Sequence, residues 1–160
     1  MKLVFFGYDF MLPAVRRLLS DGHELIGVFT FSCDNIFNFN QDLVALAKEK
    51  NIPISFEAPR AEDIARFIAD GARCFLCAGY IYKIPQIDET RAYGVNVHPS
   101  LLPKGRGLMP TPHIIIDHPE ASGFSVHKIT EEFDAGDILY QEALPLNARE
   151  SVETLSARIA

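Results

Sequence analysis

The chain contains no tryptophan, only three cysteines and no excess of basic residues. Each scarcity removes a class of protein. With 15 Lys and Arg against 21 Asp and Glu, the formal charge is −6, so nothing in the overall charge favours tight binding to a polyanion. A nucleic-acid partner would need a local basic patch or a region outside this sequence. No stretch approaches the roughly 20 apolar residues that a membrane-spanning helix requires. The opening run Met1 to Phe6 gives way at once to Gly7 and Asp9, without the longer apolar segment and cleavage site of a secretion signal. A cytoplasmic location and no membrane partner are expected.

Three cysteines cannot complete a disulfide framework, and Cys33 stands in a polar loop where a reducing compartment would keep it a thiol. Cys74 and Cys77 have the C-x-x-C interval, but their setting, Cys74-Phe75-Leu76-Cys77-Ala78, reads as a buried strand. Positions three apart on a strand point to opposite faces, and no second ligand pair follows at zinc spacing. No metal site is expected.

What is present is 160 residues with 48% hydrophobic content, enough for one well-filled core and the usual size of one domain. Compact apolar runs at 2–6, 23–31, 52–56, 73–78 and 93–98 read as strands. Segments with helical spacing follow at Ala14 to Leu19, Gln41 to Lys50 and Ala61 to Asp70. A Gly- and Pro-rich loop and a helical stretch near 112–118 lead to two last strands, at about 123–129 and 138–144, joined by a short acidic turn. Alternation of this kind predicts an α/β fold, a doubly wound, mainly parallel sheet, with the last pair making an antiparallel edge near the C-terminus. Ligands of such sheets gather beyond the carboxyl ends of the strands, which directs attention to residues after Phe6, Phe31, Ala78 and Val97. Ser151 opens a capped amphipathic helix that reaches Ala160 without a stop signal, so the chain is expected to be one domain, 1–160, truncated at its C-terminus.

The sharpest polar feature is Asn96-Val97-His98-Pro99-Ser100. In extended backbone, residues 96, 98 and 100 share a face. An amide can donate to a developing oxyanion, and an imidazole can move or stabilise charge near neutral pH. Asp134, in the acidic turn Glu131-Glu132-Phe133-Asp134-Ala135-Gly136-Asp137, is a carboxylate that an edge pairing could fold toward the imidazole. His23, His113, His118 and His127 read as structural.

The segment Asn96-Val97-His98-Pro99-Ser100-Leu101-Leu102-Pro103 resembles the signature of the folate-dependent formyltransferase family, and the 38 positions from Asn96 to Asp134 match the family's separation of catalytic Asn and Asp. The resemblance extends to Val4-Phe5-Phe6-Gly7, to the run from Ala78 to Pro85, and to the run from Phe133 to Tyr140. It implies a Rossmann-like formyltransferase fold and the co-substrate 10-formyltetrahydrofolate. It assigns catalysis to Asn96, His98 and Asp134, and the folate to Tyr80, Ile81, Tyr82, Lys83 and Ile84, to Leu101 and Leu102, and to Thr130, Glu131 and Phe133.

The acceptor amine is a separate question. The loop Gly7-Tyr8-Asp9-Phe10-Met11-Leu12-Pro13 lacks the small residues with which members acting on glycinamide ribonucleotide crowd a phosphate. Asp9 and Phe10, together with Lys104-Gly105-Arg106-Gly107, look more like the branch of methionyl-tRNA and nucleotide-amino-sugar formyltransferases. That likeness puts Asp9, Phe10, Ser100 and Arg106 on the acceptor side. The acidic charge leans toward an amino-sugar nucleotide, for which Phe37 and Phe39 offer stacking surfaces. A glycinamide ribonucleotide formyltransferase, a formyltetrahydrofolate hydrolase and a non-catalytic folate-binding module are the remaining readings, since a fold alone does not fix function. Oligomeric state is not legible.

Overall fold

The computed structural model describes residues 1–36 and 39–160, and these divide into two compact units, Met1–Gly94 and Val95–Ala160. In the first unit, β1 (Lys2–Gly7) runs parallel to β2 (Glu24–Phe29) on one side and to β4 (Ala72–Ala78) on the other, and β3 (Ile54–Ser55) pairs parallel with β2. Helices α1 (Leu12–Ser20), α2 (Gln41–Glu49) and α3 (Ala61–Ala69) connect the strands. Strand β1 is buried from Leu3 to Gly7 on both of its faces, which is why it reads as a continuous apolar run rather than an alternation. Phe6 stacks on Phe29 at 4.9 Å between ring centroids and also meets Phe75 and Tyr80. Each such aromatic pair adds about 0.5–1.5 kcal/mol beyond its burial.

The turn after β1 explains one glycine. A Cβ on Gly7 would run into the backbone oxygen of Ala78, so the two parallel strands approach closely there only because residue 7 has no side chain. Asp9 then accepts from the backbone N–H groups of Asp42 (3.2 Å) and Leu43 (2.8 Å), capping the first turn of α2 from a distant part of the chain. Cys74 and Cys77 both belong to β4, three positions apart.

In the second unit, β5 (Tyr93–His98, of which the last four residues lie in this unit), β6 (Gly123–Lys128) and β7 (Ile138–Ala143) form an antiparallel set, accompanied by α4 (Pro110–Ile116) and α5 (Val152–Ile159). Strand β6 alternates buried and half-buried positions, with Gly123, Ser125 and His127 on the covered face. The Ser151 hydroxyl accepts from Thr154 N–H at 3.1 Å, so α5 begins at the residue expected. Parallel strands early and antiparallel strands late are what the element order predicts. Boundaries differ by a few residues: β3 is shorter than 52–56, and α4 starts two residues before 112 because Pro110 occupies its first turn, where a missing N–H costs nothing. Among the described residues, no helix is long and apolar enough to cross a membrane.

Candidate functional site

Antiparallel pairing of β5 with β6 sets Asn96 opposite His127 and His98 opposite Ser125. Directly opposed residues project to the same face, so the register gathers an amide, two imidazoles and a hydroxyl on one surface. Ser125 serves the scaffold. Its hydroxyl donates to Ser100 O (2.6 Å) and accepts from Leu102 N–H (3.0 Å) and from the Gln141 amide (2.8 Å), which fixes the chain just beyond β5 against β6 and β7.

Asp134 reaches this face from the connection between β6 and β7. Its φ is +52°, in the left-handed region that non-glycine residues rarely adopt and that Asp tolerates better than most. The connection is closed by the bond from Lys128 N–H to Asp137 O at 3.0 Å. Gly136 is required beside it, since a Cβ at that position would overlap Lys128 O and lie 2.8 Å from the Lys128 carbonyl carbon.

One oxygen of Asp134, Oδ1, lies 3.4 Å from His98 Nδ1, 3.4 Å from His127 Nε2 and 3.3 Å from Asn96 Nδ2. The other oxygen, Oδ2, accepts from Gly107 N–H at 2.9 Å. The sequence-derived trio of Asn96, His98 and Asp134 therefore meets within one small volume, and His127, read from sequence as a structural strand residue, stands with it. Its place at the buried parity of an alternating strand is legible in the sequence, but its position across from Asn96 is a matter of register.

Hydrogen-bond chemistry assigns protons here. Gly105 O can only accept, so His98 Nε2, 2.7 Å away, carries a hydrogen. His98 Nδ1 faces the carboxylate, so both ring nitrogens look toward acceptors, an arrangement suited to an imidazolium. Burial acts the other way and is the largest influence, holding the His98 pKa below its ordinary value despite the opposing pull of Asp134 and Gly105 O. For Asp134, burial by itself would raise the carboxyl. The hydrogen bond from His127, the charge of His98 and the Gly107 N–H outweigh it and hold the pKa below the usual carboxylate value. Asn96 Oδ1 is buried with no hydrogen-bond partner. A buried acceptor without a donor costs about 1–3 kcal/mol, so this oxygen is suited to a ligand N–H or O–H.

The loop after β5 supplies the backbone groups of the centre. Ser100 Oγ donates to Lys104 O at 2.7 Å, and Gly105 takes φ +67°, which together turn Gly105 O toward the His98 ring. Ser100 is fully buried in this role, and Arg106 is exposed on the same loop. Leu102 is buried and Leu101 half-buried, while Thr130, Glu131 and Phe133 are exposed on the connection carrying Asp134.

The remaining sequence-derived residues belong to the first unit. Tyr80 is buried, its ring meeting Phe6 and Tyr82 edge-on; burial pushes its phenol pKa up, and its hydroxyl approaches Glu57 O. Ile84 is buried, Tyr82 half-buried, and Ile81 and Lys83 are exposed. Asp9 is occupied as the α2 cap, with burial raising its carboxyl pKa, and Phe10 stacks on Tyr8 at 5.9 Å. Phe39 is exposed, and Phe37 lies outside the described residues. Among the described residues, no cluster of His, Cys, Asp and Glu could hold a metal ion.

Parallel strands early in the chain, an antiparallel set later, and an amide, two imidazoles and a carboxylate gathered at one polar centre describe an α/β protein. Residues 38–160 match the formyl transferase family. The chain belongs to that family. It is 30% identical to methionyl-tRNA formyltransferase of Anaplasma marginale over 169 aligned residues, covering 100% of this chain and 56% of that protein. It is 31% identical to the methionyl-tRNA formyltransferase of Bacillus mycoides, covering 100% of this chain and 54% of that one. The chain thus spans little more than half the length of these curated relatives. In fold it resembles phosphoribosylglycinamide formyltransferase from Bacillus halodurans, with a TM-score of 0.75 at 23% identity over 99% of this chain and 86% of that one. It also resembles a sugar N-formyltransferase from a Shewanella species, with a TM-score of 0.72 at 18% identity over 99% of this chain and 62% of that one.

Proposed function

We propose that this chain transfers a formyl group from a 10-formyltetrahydrofolate-type donor to an amine, the acceptor being an amino-sugar nucleotide or methionyl-tRNA. The observation that carries the proposal is the placement of Asp134 Oδ1 within 3.4 Å of both His98 Nδ1 and, at 3.3 Å, Asn96 Nδ2, in a chain of the formyl transferase family.

The chemistry divides among these three residues. As the amine nitrogen bonds to the formyl carbon, negative charge builds on the formyl oxygen. The Asn96 Nδ2 hydrogen now held by the longer, 3.3 Å contact to Asp134 is the one that turns to that oxygen. His98 stands beside the same charge; burial lowers its pKa and Asp134 opposes that shift, so the imidazole stabilises the oxyanion in the fraction that is protonated. The amine loses a proton as it attacks; Asp134, through water, carries it toward the nitrogen that leaves with the folate, and the carbon–nitrogen bond of the donor breaks. A preorganised donor in a site shielded from water is worth about 3–4 kcal/mol in a comparable oxyanion hole. The orphaned Asn96 Oδ1 fits this assignment, because an attacking amine brings an N–H that a buried acceptor can take.

For the donor, we assign Tyr80, Ile81, Tyr82, Lys83 and Ile84, with Leu101, Leu102, Thr130, Glu131 and Phe133. For the acceptor, Arg106 has the exposure an anionic group needs, whereas the carboxylate of Asp9 and the hydroxyl of Ser100 are already taken up within the fold. The test is incubation with 10-formyltetrahydrofolate and a panel of amino-sugar nucleotides, glycinamide ribonucleotide and aminoacyl-tRNA, followed by mass spectrometry. A gain of one formyl group on an amine supports the proposal. Formate release without any acceptor would make the protein a hydrolase, and folate binding without turnover would make it a binding module.

A further inference from the structure

We propose that Gln141 is a positioning residue for the folate donor: its side-chain amide pins the main chain of Leu102 and so holds Leu101 where it covers the donor. This rests on the assignment of Leu101 and Leu102 to the donor, but the hydrogen bonds behind it can be tested apart from that assignment.

Gln141 belongs to β7, every residue of which is exposed. Its amide nitrogen nonetheless turns inward. The register sets Gln141 directly opposite Ser125 across β6 and β7, so the two side chains share a face. Gln141 Nε2 lies 2.8 Å from Ser125 Oγ and 2.9 Å from Leu102 O. The protons of this clasp admit one arrangement. Ser100 O only accepts, so at 2.6 Å it takes the single hydrogen of the Ser125 hydroxyl. The two remaining lone pairs of Ser125 Oγ meet two donors, Leu102 N–H at 3.0 Å and Gln141 Nε2. Leu102 O also only accepts, so both hydrogens of the Gln141 amide are used and its orientation is fixed. A reversed amide would set its oxygen against a carbonyl oxygen and against a hydroxyl with no hydrogen left to give.

The clasp holds the segment just beyond Asn96 and His98. It ties Ser100 O and both backbone groups of Leu102 to β6 and β7, while Leu101 N–H donates to Ala121 O at 2.9 Å. Leu102 is buried and Leu101 half-buried. The Leu101 side chain lies over Gly123, where a Cβ would come within 2.8 Å of its Cδ2. Leu102 is therefore the support, and Leu101 is the side chain with apolar surface left for a ligand. Without the Gln141 amide, Leu102 O loses its donor and Ser125 Oγ keeps a lone pair unmatched. Covered acceptors in that state draw in water or shift toward it, and the residues that shift here are 101 and 102.

Two variants separate hydrogen bonding from bulk. Gln141→Met keeps the length of the side chain without a donor, and Gln141→Glu keeps its shape while offering only acceptors at neutral pH. We expect both to raise the donor KM, and the Kd for tetrahydrofolate read by titration calorimetry, by about fivefold or more, with kcat and the acceptor KM within about twofold of wild type. A wild-type donor KM in either variant overturns the proposal, and so does a rise in both KM values together with a fall in kcat, which would mean general loosening. A second measurement needs no activity. Hydrogen exchange at the Leu102 amide is expected to be about tenfold faster in Gln141→Met than in wild type, with the β5 amides unchanged; equal exchange at Leu102 overturns the proposal. If wild-type protein binds no folate, the donor reading fails and the role of Leu101 fails with it, while the exchange result still decides whether Gln141 holds Leu102.

Discussion

Replacing Gly136 with alanine tests whether the position of Asp134 matters as the site geometry requires. The new methyl would overlap Lys128 O and stand 2.8 Å from the Lys128 carbonyl carbon and 3.1 Å from Thr130 Cγ2. Two of these three atoms are backbone, so no side chain can rotate away, and the connection has to open by on the order of 1 Å. Asp134 is two residues upstream. Its contacts to Asn96 and His98, at 3.3 and 3.4 Å, already sit at the long end of hydrogen bonding, and a further ~1 Å would break both. A misplacement of that size costs about a hundredfold in rate when it falls on catalytic groups. The expected result is a drop in kcat/KM for formyl transfer of about a hundredfold, with circular dichroism still showing a folded chain and a melting temperature lowered by several degrees. Gly22→Ala is the control. It puts an alanine in a left-handed backbone, at φ +84°, a strain that Gly136 does not carry, but meets nothing within 4 Å and belongs to the first unit. If Gly136→Ala keeps kcat/KM within threefold of wild type, Asp134 does not act through the contacts described here.

Four more outcomes are expected. Asn96→Ala, His98→Ala and Asp134→Asn each lower turnover by about a hundredfold or more; near wild-type transfer by any one of them removes that residue from the mechanism. Because the Asp134 carboxyl is held below its ordinary pKa in the folded protein, the stability it contributes is present above the unfolded value near 3.8 and is lost as pH falls through the lower folded pKa. Denaturant melts should therefore show the difference between wild type and Asp134→Asn shrinking in strong acid, and a difference that widens there refutes the sign. Arg106→Ala should raise the KM of the acceptor while leaving that of the donor unchanged; an unchanged acceptor KM takes Arg106 out of the acceptor site. Asp9→Ala should lower stability by about 0.5–2 kcal/mol through loss of the α2 cap, read as a shifted denaturant midpoint, with kcat for formyl transfer within twofold of wild type; a large loss of transfer would return Asp9 to the acceptor site.

The sequence by itself determined the order and kind of the elements, because hydrophobic periodicity is local: β5 was legible residue for residue, and the Ser151 cap announced α5. It also pointed to Asn96, His98 and Asp134, by alternation for the first two and by family resemblance for the third. What it could not determine was register. Whether His127 faces Asn96 depends on how β6 aligns with β5, and that alignment is set by the packing of two strands separated by a long connection, not by any property of residue 127. The fate of Asp9 was invisible for the same reason. A carboxylate near a strand end looks available for a ligand until folding brings the bare N–H groups of Asp42 and Leu43, more than thirty residues away, within reach of it. Local chemistry proposes the candidates, and hydrogen-bonding partners distant in sequence, which only the tertiary structure supplies, decide which of them are already spent on the fold.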